Sequence, residues 1–183
     1  MKILQDNRQK NNKHIAKNRY FFEQSIYVYT SQLPFGDYWL FEPTTSEKAT
    51  VSVNTMAGKF HLAPKVAVDT KADICELAYN ICSTKAEHER FKAELIKAQE
   101  HDCQLVILVE NTEGVSTLAD LTRWKEPQKH FNQRHGIRRY FGSTLAKACN
   151  TMNTKYGVKF AFCAPEDAGA KIISILTKGA KNG

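Results

Sequence analysis

Asp37, Asp69 and Lys71 are the residues of this 183-residue chain best suited to chemistry, with Asp6 as a fourth. Asp69 closes the run KVAVDT, and Lys71 follows two positions on. In an extended strand, residues i and i+2 point to the same side. The carboxylate and the ammonium therefore face one way, a pairing that suits metal-assisted hydrolysis. Asp69, with a second carboxylate from Asp37, can hold Mg²⁺, a hard cation that takes oxygen ligands; Mn²⁺ suits the same donors. Lys71 can orient or help deprotonate an attacking water and offset phosphate charge. Each residue alone has an ordinary explanation. Asp6 and Asp37 suit turns, and D-x-K is a common spacing before a helix. The weight rests on the order of the whole set and on the elements that must carry it.

Asp6 ends a short apolar run, KIL, that predicts a strand. Residues 13–24 predict a helix, with Ile15, Phe21 and Phe22 among polar residues, and residues 25–30 (SIYVYT) predict a strand. Pro34 and Gly36 mark a turn just ahead of Asp37, and residues 38–41 form the strand that leaves it. Residues 43–48 read as a loop, and residues 50–53 and 59–62 as a hairpin. Asp69 closes the next strand. Asp73 and Glu76 then form a capping box for a helix carrying Ile74, Leu77, Ala78 and Ile81. Residues 87–101 make a second helix, with Phe91, Leu95, Ile96 and Ala98 on one face. LVILV, residues 105–109, reads as a central strand buried on both faces. Residues 111–137 are mostly polar, with a short helix near 117–124. A helix over 142–154, a strand over 158–163 and a helix over 166–177 close the chain. This interleaving predicts one α/β domain over residues 1–183, built on a mixed central sheet flanked by helices.

Hydrophobic residues are 42% and charged residues 25% of the chain, which excludes wholesale disorder, collagen-like and coiled-coil readings. No apolar run approaches the roughly 18 residues of a membrane span. The first residues hold no apolar signal-peptide core, so the cytoplasm is the expected location. The five cysteines form no CxxC pair, and no His/Cys cluster has zinc spacing, so buried reduced thiols are expected. Tyr38, Trp39 and Phe41 read as core rather than as a base-stacking platform. No phosphate-binding glycine fingerprint occurs, and no small-molecule cofactor is expected.

Lys and Arg number 26 against 19 Asp and Glu, a net charge of +7 that favours a polyanionic partner. The first nineteen residues hold Lys2, Arg8, Lys10, Lys13, Lys17 and Arg19 against one acid, Asp6. A second basic stretch runs over residues 125–139. Charge alone fits a solvated face as well as a nucleic-acid footprint.

The ordered series ILQDNRQK, LPFGDYWL, KVAVDTK, EHERFKAELIKA and an apolar strand closing in Glu110 resembles the nuclease domain of XPF-type structure-specific endonucleases. These belong to the PD-(D/E)xK superfamily. The resemblance covers about residues 3–110 and looks most like compact standalone bacterial and phage forms; within a C-terminal βα extension over about 138–178, the segment from Gly142 to Cys163 resembles theirs. It implies a restriction-endonuclease-like fold and a Mg²⁺-dependent DNA endonuclease acting on branched or flapped DNA. It also implies Asp37 and Asp69 as metal ligands, Lys71 as the catalytic lysine and Asp6 as a further acid near the metal. Arg8 would be a phosphate or structural contact, and the basic N-terminal residues Lys10, Lys13, Lys17 and Arg19 would track the phosphate backbone. Pairing into a homodimer is common in that family. Gln9 stands where the family has Glu, Thr70 where it has Arg, Asp69 where it usually has Glu, and Asn7 where it usually has Thr. The rival readings are a non-catalytic DNA-binding scaffold or partner subunit of an active nuclease, and a nuclease acting on RNA.

Overall fold

The computed structural model describes residues 1–8, 15–41, 64–134 and 138–181. The loop over 43–48, the hairpin over 50–62, and Lys10 and Lys13 lie outside the described residues.

Six strands form one sheet. They are β1 (Lys2–Asp6), β2 (Tyr27–Ser31), β3 (Tyr38–Leu40), β4 (Val66–Lys71), β5 (Gln104–Glu110) and β6 (Lys159–Cys163), in the order β2-β1-β3-β4-β5-β6. β3 runs antiparallel to both β1 and β4, and the other neighbours are parallel, so the sheet is mixed. β4 and β5 are interior strands buried along almost their whole length, and β5 carries the unbroken apolar run LVILV that can be covered on two sides.

Alternation along the strands sorts two cores. Leu4, Trp39, Ala67, Leu105, Ile107 and Val109 face one layer of helices. That layer holds α2 (Ile74–Cys82), α3 (Lys85–Glu100) and α6 (Gly142–Tyr156). The alternate residues Ile3, Tyr38, Val68 and Leu108 face α1 (Ile15–Glu23) and α7 (Ala168–Lys181), through Phe21, Ile172 and Leu176. Two short helices, α4 (Leu118–Leu121) and α5 (Gln128–Gln133), lie between β5 and α6. Among the described residues no helix is long and apolar enough to cross a membrane.

Local chemistry sets the element ends. The Glu76 N–H donates to Asp73 Oδ1 at 2.7 Å, as the capping box requires. The reciprocal bond shifts by one residue, because Glu76 accepts from the Ala72 N–H rather than from Asp73. α3 begins two residues before the expected 87, because Thr84 Oγ1 takes the Glu87 N–H and caps the helix earlier. A Cβ on Gly142 would run into the Leu121 carbonyl oxygen, so the start of α6 can pack directly against α4.

Two features go beyond the sequence reading. α1 does not bury all its apolar residues: Ile15 and Phe22 are exposed, and the buried pair is Lys17 and Phe21. These two lie four apart on the sheet-facing side, so the helix turns a lysine inward. The polar stretch after β5 hides α5, which has no apolar stripe and buries none of its residues. It is held instead by polar bonds to the buried Glu126 described below. The cysteines are free thiols, buried or half-buried, as expected. Burial pushes Cys103 and Cys149 up to about 12.

Candidate active site

Gly36 begins the site. It adopts φ +68°, in the left-handed region that favours glycine, and a Cβ there would come within 3.2 Å of the Val68 carbonyl oxygen. This turn delivers Asp37 onto β3 against β4. The Asp37 N–H donates to the Val68 carbonyl at 2.7 Å, and the Asp37 carbonyl accepts from the Asp6 N–H at 2.8 Å. The Asp37 side chain is fixed by the residue between Asp69 and Lys71. Its Oδ2 accepts from the Thr70 N–H at 2.9 Å and from the Thr70 hydroxyl. Thr70, which replaces a charged residue of the resembling motif, thus clamps the carboxylate of the neighbouring strand.

Asp69 and Lys71 share a face of β4 with Ala67, the face covered by α2 and α3. Their side chains form an ion pair at 2.7 Å. The Lys71 ammonium also lies 5.3 Å from the centre of the Phe91 ring on α3. Asp37, Asp69 and Lys71 are 1%, 2% and 6% exposed, so the site is closely covered. Glu94 on α3 completes the group. Its Oε1 accepts the Gly36 N–H at 2.8 Å, and its charge acts on both Asp69 and Lys71.

Three carboxylates therefore surround one ammonium. Burial pushes the Asp69 carboxyl up to about 8; Lys71 opposes this, while Glu94 and Asp37 add to it. Burial also works against the Lys71 charge, but Asp69, Glu94 and Asp37 outweigh it and hold the ammonium protonated. Tyr38, next in sequence to Asp37, is buried and its phenol is raised by that burial and by Asp37 and Glu110. The core reading of Tyr38 and Trp39 agrees with their burial.

The structure treats the remaining candidates differently. Asp6 lies on the same end of the sheet as Asp37, but its carboxylate accepts from Arg8 Nε and from the Leu33 N–H at 3.1 Å. Arg8 also donates to the Leu33 carbonyl. This pair ties the turn before Gly36 to β1. Half of the Arg8 side chain is exposed, and Arg19 is exposed beside Glu23. Lys17 departs from its expected place at the surface. It is 3% exposed, and its ammonium pairs with Glu110 at the end of β5, on the opposite face from Asp69. An inward-facing lysine cannot track a phosphate backbone, so the N-terminal basic stretch loses it.

Glu94 and the Lys17–Glu110 pair were not singled out by sequence reasoning. A signal existed for each. Glu94 lies three residues after Phe91 and one before Leu95, so an acid interrupts the apolar stripe of α3. Lys17 lies four residues before Phe21. A charged residue within a buried stripe needs a partner, and the sequence does not say which.

A mixed six-stranded sheet in this strand order, flanked by helices, is an XPF-like fold. Solved structures it resembles include XPF from Aeropyrum pernix, at TM-score 0.56 and 14% identity, and XPF from Aeropyrum pernix in complex with DNA, at TM-score 0.57 and 15% identity. Each comparison covers 99% of this chain, which spans 66% of the length of those chains. No family model and no curated protein matches the sequence.

Proposed function

We propose that this chain is a metal-dependent DNA endonuclease. The observation that carries the reading is the convergence of Asp37, Asp69, Glu94 and Lys71, with Thr70 clamping Asp37. Among the described residues, no group of three or more His, Cys, Asp or Glu is arranged to hold a metal alone. A Mg²⁺ site of this type needs fewer protein ligands: one or two carboxylates, with waters and substrate phosphate supplying the rest. Burial first, and then the Glu94 and Asp37 charges, raise Asp69, and a divalent cation beside it would oppose that rise. Asp37 and Asp69 would hold Mg²⁺ or Mn²⁺, which when bound polarises the phosphodiester and activates water for in-line attack. Thr70 keeps the Asp37 carboxylate in place. Lys71, protonated and close to Asp69, orients the attacking water and offsets the charge that develops on the phosphoryl oxygens. The resemblance further supports branched or flapped DNA as substrate, and the DNA complex of the similar Aeropyrum pernix structure supports DNA as partner.

The close cover of the three groups favours a second reading, a DNA-binding scaffold that pairs with an active nuclease. One experiment separates the two. A labelled panel of duplex, single strand, 5′ and 3′ flaps, fork, four-way junction and RNA is incubated with Mg²⁺ or EDTA, beside Asp69→Ala and Lys71→Ala. Metal-dependent cutting, absent from both variants, is the expected result. Salt-sensitive binding without cutting, equal in all three proteins, would sink the enzyme reading and leave the scaffold.

A further inference from the structure

The second basic stretch takes a definite shape between α4 and α6. From residue 121 to residue 141 the chain holds six Lys and Arg and one acid, Glu126. That acid is turned inward, with none of its side chain exposed. Its carboxylate takes two bonds from Arg134, at 2.5 and 2.7 Å, and the Tyr140 N–H at 3.0 Å. His130 Nδ1 lies 2.6 Å from it, and Arg139 donates to the Glu126 carbonyl at 3.0 Å. Arg134 also stacks on the Tyr140 ring at 4.0 Å. The acid is thus consumed in folding the segment, and the exposed charges on its described residues are positive, with Arg123 paired to Asp120 just before the segment. Lys125, Lys129 and Arg138 are exposed on that surface.

An apolar residue stands among these cations. Lys125 and Phe141 are directly opposite in an antiparallel bridge, and residues so paired lie on the same side. Phe141 is 46% exposed. A ring set among exposed cations suits single-stranded nucleic acid, which is bound by such a combination of positive charge and stacking rings. The segment also sits at the right end of the fold. β4 and β5 are parallel with Lys71 opposite Val109, so the chain leaves β5 at the end where Lys71 closes β4. Arg134 and Glu126 act electrostatically on Cys75, in the first turn of α2, which begins three residues after Lys71.

We infer that this segment is a second nucleic-acid contact, in which Lys125, Lys129 and Arg138 grip phosphates and Phe141 stacks on an unpaired base next to the cleavage site. The inference rests on the nuclease reading and narrows its substrate to DNA with a single-stranded portion.

Binding of a fluorescent duplex, and of the same duplex carrying a single-stranded flap, is measured by anisotropy in EDTA across a salt series. The combined variant Lys125→Ala, Lys129→Ala, Arg138→Ala should bind both DNAs on the order of 10- to 100-fold more weakly at low salt. Its slope of log affinity against log salt should fall by about 2 to 3. Lys159→Ala, Lys171→Ala, Lys178→Ala removes the same charge from other exposed positions and should bind as the wild type does. Phe141→Ala should lose affinity for the flap and keep it for the duplex. Equal weakening by the two triple variants, or none by the first while the wild type binds and cuts DNA, overturns this inference and leaves the nuclease reading intact. A wild type that binds no DNA at any salt overturns both. Equal loss on flap and duplex in Phe141→Ala overturns the stacking contact.

Discussion

Thr70 shows how much one side chain decides at the residue scale. Its hydroxyl and its N–H both reach Asp37 Oδ2 across two strands, so the carboxylate is held before any ligand arrives. Thr70→Val keeps the shape and removes the hydroxyl. The expected cost is about 1.5–3 kcal/mol of stability, because a bond to a buried charged group is lost. Cleavage should fall with it, while Thr70→Ser should retain both. Thermal unfolding and the cleavage assay check this together, and an unchanged Thr70→Val would remove the clamp from the account. Glu94→Gln tests the third carboxylate. The amide can still accept the Gly36 N–H but carries no charge, so the fold should hold and the Mg²⁺ concentration needed for half-maximal cleavage should rise. An unchanged Mg²⁺ requirement would limit Glu94 to positioning Gly36.

Elements place these residues, and two of them depend on unusual local chemistry. The turn into β3 needs a left-handed residue with no Cβ, because Gly36 sits at φ +68° against the Val68 carbonyl. Gly36→Ala should destabilise the protein by about 1–3 kcal/mol and displace Asp37, read as a lower denaturation midpoint and reduced cleavage. The segment around α5 depends on a buried acid. The bonds from Arg134 pull the Glu126 carboxyl down to about 2, against the opposing effect of burial. A carboxyl whose folded pKa lies below its unfolded 4.5 stabilises fully above pH 4.5 and loses that contribution as pH falls toward 2. The contribution is on the order of 3 kcal/mol. Glu126→Gln should therefore be less stable than wild type near neutral pH, and the gap should close on acidification below about pH 4.5. Urea midpoints measured between about pH 7 and about pH 3 give the answer; a constant gap would show that the charge of Glu126 is not what holds the segment.

Over the whole molecule, the two faces of the sheet divide the work. One face carries Asp69 and Lys71 beneath α2 and α3, and the other carries the Lys17–Glu110 pair beneath α1. Replacing Lys17 by Met should remove the cation that faces the buried Glu110, at a cost of about 3–5 kcal/mol. Replacing both, Lys17→Met with Glu110→Gln, should recover much of that loss. Chemical denaturation of the single and double variants measures it, and additive losses would mean the two charges are not coupled in the folded chain.

Much of this was legible from local pattern. Strands rich in β-branched residues, the Asp73 cap, the Gly36 turn and the i, i+2 relation of Asp69 and Lys71 depend on neighbours in the chain, so the sequence by itself determined them. The strand order did not follow from any local signal. Asp37 meets Thr70 only because β3 turns back antiparallel to β4, and Glu94 joins them only because α3 folds onto that face. Lys17 read as a surface cation because its partner lies 93 positions further on, at Glu110. α5 escaped notice because a buried acid, rather than an apolar stripe, holds it. Local propensity acts over a few residues, whereas burial, ion pairing and the joining of carboxylates are decided by which distant segments the sheet brings into contact, and tertiary structure alone settles that.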